Sequence, residues 1–203
     1  RVGAVVRWAR VDPATGELPP EQYDDLLGER TTLVALTAAS NLLGTIPDVA
    51  RITAAAHGVG ALTFVDAVAA APHVPLDVAA LGADLCSTSA YKWCGPHLGA
   101  VCADPELLET LRPDKLRPSS DRVPNRFETG THAFAQLAGL AAAVDFLADC
   151  APGADGGRTR RGRLLAGMEA VREHEDELLA DLLEDLAARP GIEIVGRPAR
   201  RTP

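Results

Sequence analysis

Four short apolar runs, the first three separated by segments with helical spacing, restrict the fold of this chain more than any other feature. Residues 31–39 (TTLVALTAA) are almost continuously apolar with a β-branched start, the pattern of a strand buried on both faces. Pro47 then opens a segment running to His57 in which Val49, Ile52, Thr53 and Ala56 fall on one helical side, closed by Gly58 and Gly60. Residues 61–65 (ALTFV) read as a second strand, 77–81 as a short helix ended by Gly82, and 83–88 (ADLCST) as a third strand. After a Gly95-Pro96 turn, residues 98–102 (LGAVC) read as a fourth. Strands alternating with helices over short connections imply right-handed crossovers. The expected fold class is therefore α/β, a mostly parallel sheet flanked by helices.

The rest of the chain is less uniform. Residues 2–11 are apolar with basic interruptions and predict a strand, followed by turn chemistry at 12–16 and a short helix at 20–27. Residues 105–111 predict a short helix, 112–124 a Pro-, Arg- and Ser-rich loop, and 134–148 an apolar helix. Residues 151–163 (APGADGGRTRRGR) are the clearest linker. Residues 164–189 predict a long amphipathic helix with Leu164, Met168, Val171, Leu178, Leu182 and Leu186 along one face. Pro190-Gly191 stops it, and 192–195 begin a strand. The expected organisation is an incomplete large domain over 1–150, a linker over 151–163, and a connecting helix with the truncated start of a smaller domain over 164–203.

Composition narrows the function classes. The 203 residues carry a net charge of −8, with 47% hydrophobic and 24% charged residues, an ordinary globular balance. The acidic excess argues against nucleic acid or an anionic membrane surface as the main partner. No apolar run approaches the roughly 20 residues of a membrane span, and no basic-then-apolar signal segment opens the chain. Arg1 as the first residue leads us to expect a start inside a longer protein. Cys86, Cys94, Cys102 and Cys150 form no C-x-x-C pair and have no zinc-ligand spacing, so they read as free thiols in a reduced, cytosolic protein.

In parallel α/β sheets, ligands bind outside the carboxyl ends of the strands. Ser40-Asn41 follows the first run, Asp66 ends the second, and Ser89 and then Lys92 follow the third, at nearly even spacing. These groups recur at equivalent strand ends and are expected to converge on one crevice. No lysine precedes Lys92, and the next is Lys115. A lone lysine in so apolar a neighbourhood suggests a desolvated amine, which is a nucleophile towards carbonyls. An amine, a carboxylate and an amide at strand ends suit pyridoxal phosphate: the amine holds it as a Schiff base, the carboxylate keeps the ring nitrogen protonated, and the amide serves the ring oxygen.

The stretches at 40–45 (SNLLGT), 65–73 (VDAVAAAPH), 89–99 (SAYKWCGPHLG) and 126–131 (RFETGT) resemble the class V aminotransferase superfamily of fold type I pyridoxal-phosphate enzymes, and most of all its cysteine desulfurase-like branch. The order holds over most of the chain. The resemblance implies that Lys92 is the catalytic lysine, holding the cofactor and moving protons at the substrate α-carbon. It implies that Asp66 pairs with the ring nitrogen, Asn41 donates to the ring oxygen and Ser89 contacts the phosphate. Thr131 would reach the phosphate of a neighbouring subunit, so a homodimer with shared sites is implied, acting on a small amino-acid substrate. Ala69 stands where the family usually has Gln or His, and Tyr91 where many members have His. The resemblance puts the ring-stacking residue before Arg1, and the substrate-carboxylate arginine and mobile cysteine beyond Pro203. His73 and His97 lie within matching stretches and read as structural residues, and Cys94 as packing. The expected reaction is carbon–sulfur bond cleavage or a related β-elimination. Transamination and a non-catalytic remnant of the same fold are the alternatives.

Overall fold

The computed structural model describes residues 3–151, 153 and 159–203. After a 3-10 turn (Pro20–Gln22) and the short helix α1 (Tyr23–Leu26), the chain enters β1 (Leu33–Thr37), α2 (Val49–Gly58), β2 (Leu62–Asp66), α3 (Val78–Leu81) and β3 (Leu85–Ser89). A 3-10 turn at Ala90–Lys92 leads to β4 (Gly99–Ala103). The sheet has the order β1-β2-β3-β4; β1, β2 and β3 run parallel, and β4 is antiparallel to β3. The predicted α/β class, a mostly parallel sheet flanked by helices, is what forms.

Cap chemistry sets the helix ends. Asp48 caps α2 by accepting the Arg51 amide at 3.2 Å, so the helix starts at Val49 and turns Val49, Ile52, Thr53 and Ala56 inward, all buried. Asp77 caps α3 through the amides of Ala79 and Ala80, and Gly82 ends it at φ 65°. Both helices join one core with Val34, Leu36, Val65 and Cys86, residues that share one face of the sheet. The prediction that β1 is buried on both faces is corrected here. Val34 and Leu36 are buried, but Leu33 is 54% exposed and Ala35 is also exposed, because the described helices of this core cover one face only.

Behind the sheet, Asp84 Oδ2 accepts from the Thr63 amide (2.7 Å), the Thr63 hydroxyl (2.8 Å) and His57 Nε2 (2.9 Å), locking β2 to α2 and to the turn before β3. Burial works to raise the Asp84 pKa, but the bonds from His57 and Thr63 outweigh it and hold the carboxyl below its ordinary value. A carboxyl depressed in the folded state stabilises fully above its unfolded pKa, and that stability is lost as pH falls through the folded value. Asp84→Asn is therefore expected to cost about 1–2 kcal/mol at pH 7. Denaturant midpoints should show the difference between variant and wild type closing well below pH 4, the ordinary carboxylate range being about 3.9.

Beyond β4, Asp104 caps α4 (Pro105–Thr110), and a loop and a 3-10 turn (Asn125–Phe127) lead to α5 (Phe134–Ala148) and α6 (Arg160–Ala187). The predicted linker at 151–163 lies largely outside the described residues. Its end differs from expectation: the Thr159 hydroxyl accepts the Gly162 amide at 3.1 Å and starts α6 at Arg160 rather than Leu164. Gly167 lets the helices meet backbone to backbone, since a Cβ there would overlap the Leu147 carbonyl. Around that crossing, Ala143, Leu147 and Met168 pack on Ala90 and Trp93. Leu178 and Leu182 of the predicted apolar stripe are exposed, because α6, at 28 residues, is much longer than the 15-residue α5 it packs against.

Two predicted strands do not form. In 3–11, Val5, Val6 and Trp8 are exposed, and the Arg10 backbone pairs with the Gln22 side chain instead of a neighbouring strand (2.6 and 3.0 Å). Residues 192–195 also lack a strand partner among the described residues. The tail makes its backbone pairing further on: Arg197 N donates to Thr15 O (2.9 Å), Ile46 N to Arg200 O (2.9 Å) and Thr202 N to Gly44 O (2.8 Å). No helix among the described residues is long and apolar enough to cross a membrane.

Candidate active site

The site is built from three successive strand ends. Asp66 closes β2, in register with Thr37 on β1 and Ser87 on β3. Thr63 and Val65 turn into the helical core, so alternation puts Asp66 on the opposite face, together with Ser87 and Ser89. Asp66 is exposed, and its Oδ1 accepts the Val68 amide at 2.9 Å. Its charge reaches into the sheet: burial pushes the neighbouring Cys86 thiol up, and Cys102 and Asp66 add to that shift.

The segment after β1 is a closed turn. Ser40 N donates to Thr45 O (2.8 Å), Gly44 N to Ser40 O (3.0 Å), and the Ser40 hydroxyl accepts the Leu42 and Leu43 amides (3.3 and 3.1 Å). Asn41 sits in this turn, exposed, its side chain without a hydrogen bond among the described residues. Gly44 is at φ 72°, and a Cβ there would overlap the carbonyl of Thr202. Position 44 must be glycine both for its backbone conformation and for the close approach of the tail.

Lys92 is carried by the tight turn after β3. Trp93 N and Gly95 N both donate to Ala90 O (3.0 and 2.8 Å), and Ala90 N donates to Leu98 O (2.8 Å). Trp93 is buried and its Nε1 donates to Thr88 Oγ1 at 2.9 Å, while Tyr91 stacks on His97 with ring centroids 4.9 Å apart. The anchors on either side are fixed and Lys92 projects between them. It is exposed, with no hydrogen bond or ion pair among the described residues, so the expected desolvated amine is corrected. The turn lifts this residue off the sheet edge instead of sinking it into the core.

These turns meet at a cavity of about 230 Å³ walled by Asn41, Ala69, His73, Lys92 and Arg201, among others. Of the predicted site residues, it brings Asn41 and Lys92 together. Asp66 does not line it but opens the helical turn that does: Ala67 O accepts the Ala70 and Ala71 amides and Ala70 O accepts those of His73 and Val74, which puts Ala69 and His73 on one side. Ser89 is half-buried at the end of β3 and Thr131 is exposed in the loop before α5, and neither is part of the cavity wall. Nothing local in the sequence marks Arg201, in the tail, as a neighbour of Lys92; its Nε is buried without a partner among the described residues. His73, which reads as structural in the sequence, lies in the wall.

A lysine-bearing turn at the carboxyl edge of a parallel sheet, with an amide beside it, is the arrangement of a pattern that spans the whole chain: the Aminotransferase class-V family model matches residues 1–203, and the chain belongs to that family. This chain resembles proteins named as cysteine desulfurases. It is 37% identical, over its entire length, to half of an uncharacterized protein of Mycobacterium tuberculosis (strain CDC 1551 / Oshkosh). It is 34% identical to a probable cysteine desulfurase of Streptomyces coelicolor over 97% of this chain and 46% of that protein. The fold superposes on the cysteine desulfurase CsdA of Escherichia coli with a TM-score of 0.68 and 30% identity, covering 86% of this chain and 43% of the other. The chain thus spans about half the length of the curated relatives it matches.

Proposed function

We propose that this chain is the cofactor-holding part of a pyridoxal-phosphate-dependent enzyme that acts on an amino acid by cysteine desulfurase-like carbon–sulfur bond cleavage. The observation that carries the reading is the shared cavity: an amine on Lys92 and an amide on Asn41, neither engaged by another side chain among the described residues, face one space at the sheet edge. That donor set fits an aldehyde cofactor with an oxygen substituent beside the aldehyde. Such a cofactor, when bound, supplies an electron sink for bonds at the substrate α-carbon.

In this reading Lys92 holds the cofactor and moves the proton at the α-carbon. Asp66, exposed on the open face, keeps a proton on the ring nitrogen. Asn41 donates to the ring oxygen, Ser89 contacts the phosphate, and Thr131, outside the cavity wall, serves the phosphate of a partner subunit in a homodimer. A reduced, cytosolic setting belongs to the same reading, since all four cysteines are free. One observation favours the rival of a non-catalytic relative: Ala69 offers the cavity only a methyl group.

Borohydride reduction of the cofactor-saturated full-length protein, followed by peptide mass mapping, separates the two. The expected result is a pyridoxyl-modified Lys92 peptide. An unmodified Lys92 peptide supports the rival reading and ends this one.

A further inference from the structure

The His73 imidazole stands between two cavities. One is the Lys92 cavity; the other, about 620 Å³, is walled by Arg172 and Asp176 of α6 among others. Its Nδ1 lies 2.9 Å from Glu175 Oε2 on α6, and both side chains are 29% exposed. A carboxylate only accepts, so Nδ1 carries the hydrogen and the neutral ring leaves Nε2 bare. With Nδ1 committed towards α6, Nε2 is the nitrogen left for the Lys92 side. The other charged groups around the ring are Lys92 and Arg201 in the first cavity and Asp48, Arg172, Asp176 and Arg200 along the second. Among the residues walling the Lys92 cavity, histidine is the side-chain type that exchanges protons near neutral pH.

We propose that His73 is an acid–base group of the Lys92 cavity and that Glu175 is its positioning residue, fixing tautomer and ring direction. This rests on the reading of Lys92 given above. An amino acid arrives as an ammonium ion and must lose a proton before its nitrogen can attack. His73 Nε2 takes that proton. The new bond joins the substrate nitrogen to the cofactor's aldehyde carbon, and the bond that breaks joins that carbon to Lys92 Nζ. The proton passes from Nε2 to the departing Nζ, and His73 returns to its neutral form.

His73→Asn gives the sharpest test, because the asparagine amide nitrogen takes the place of Nδ1 and keeps the Glu175 bond while the basic Nε2 is gone. In the full-length holoenzyme, Lys92 should still be labelled by borohydride. The kcat should fall about a hundredfold, within the range for a positioned proton-transfer group, with KM little changed and the histidine limb of the pH–rate profile lost. Wild-type kcat in His73→Asn overturns the proposal, since a purely structural histidine predicts that outcome. Nitrogen-15 NMR of histidine-labelled wild-type protein gives a readout independent of any variant. Hydrogen on Nδ1 is expected, and hydrogen on Nε2 overturns the proposal. If Lys92 is unlabelled in the wild type, the functional reading fails and this inference with it; labelling in both proteins with equal kcat removes the histidine role alone.

Discussion

Replacing Lys92 by alanine is expected to abolish covalent capture of the cofactor and to lower turnover of the full-length enzyme by about 10⁴-fold, the upper end of what a positioned proton-transfer group supplies. Two features make the effect large. No second amine stands in for Lys92: Lys115 is held elsewhere, donating to Ser119 O at 2.8 Å and pairing with Asp121 at 3.1 Å. The turn itself does not depend on the lysine either, since its anchors are the backbone bonds to Ala90 O and the buried Trp93. An exposed side chain without partners contributes little to folding, so the denaturation midpoint should stay within the change expected of a surface substitution, about 0.5 kcal/mol. Lys92→Arg keeps the positive charge and should be as inactive as Lys92→Ala, because a guanidinium stays protonated and is no nucleophile. More than a tenth of wild-type turnover in Lys92→Ala would show that the amine has another role.

The second large effect is expected of Asp66→Asn. The substitution removes a charge and almost nothing else. Asparagine keeps an oxygen that can accept the Val68 amide, and the strand pairing of Asp66 runs through its backbone, whose carbonyl accepts the Ala38 amide at 2.8 Å. The turn bearing Ala69 and His73 therefore stays in place. What changes is the fixed negative charge at the end of β2, and loss of one such preorganised group costs about 10²–10³-fold in rate. We expect that loss in kcat with an unchanged circular dichroism spectrum. Turnover close to that of the wild type would rule out the pairing of Asp66 with the ring nitrogen.

Much of the scaffold is legible from neighbouring residues alone. The α2 stripe of Val49, Ile52, Thr53 and Ala56 is written at helical spacing, and Asp48, Asp77 and Gly82 mark helix ends by cap chemistry. The runs at 61–65 and 83–88 lie on the strands they predict within a few residues. The failures share a cause. A strand at 2–11 or 192–195 needs an edge to pair with, and an apolar sequence carries no information about whether one is available. The depth of Lys92 is not legible for a similar reason: its apolar sequence neighbours, Ala90 and Trp93, turn inward, and their burial is what raises the lysine between them.

Local sequence carries the class of the fold, the mostly parallel character of its sheet and the candidacy of Asn41, Asp66 and Lys92, because periodicity, caps and strand ends are properties of adjacent residues. It takes the folded chain to show that Ala69, His73 and Arg201 share a wall with Lys92, that Glu175 bonds the His73 ring, and that Gly44 lies under Thr202. Those meetings join residues far apart in the chain, and what brings them together is packing: the docking of α6 on α5, and of the tail on the turn after β1.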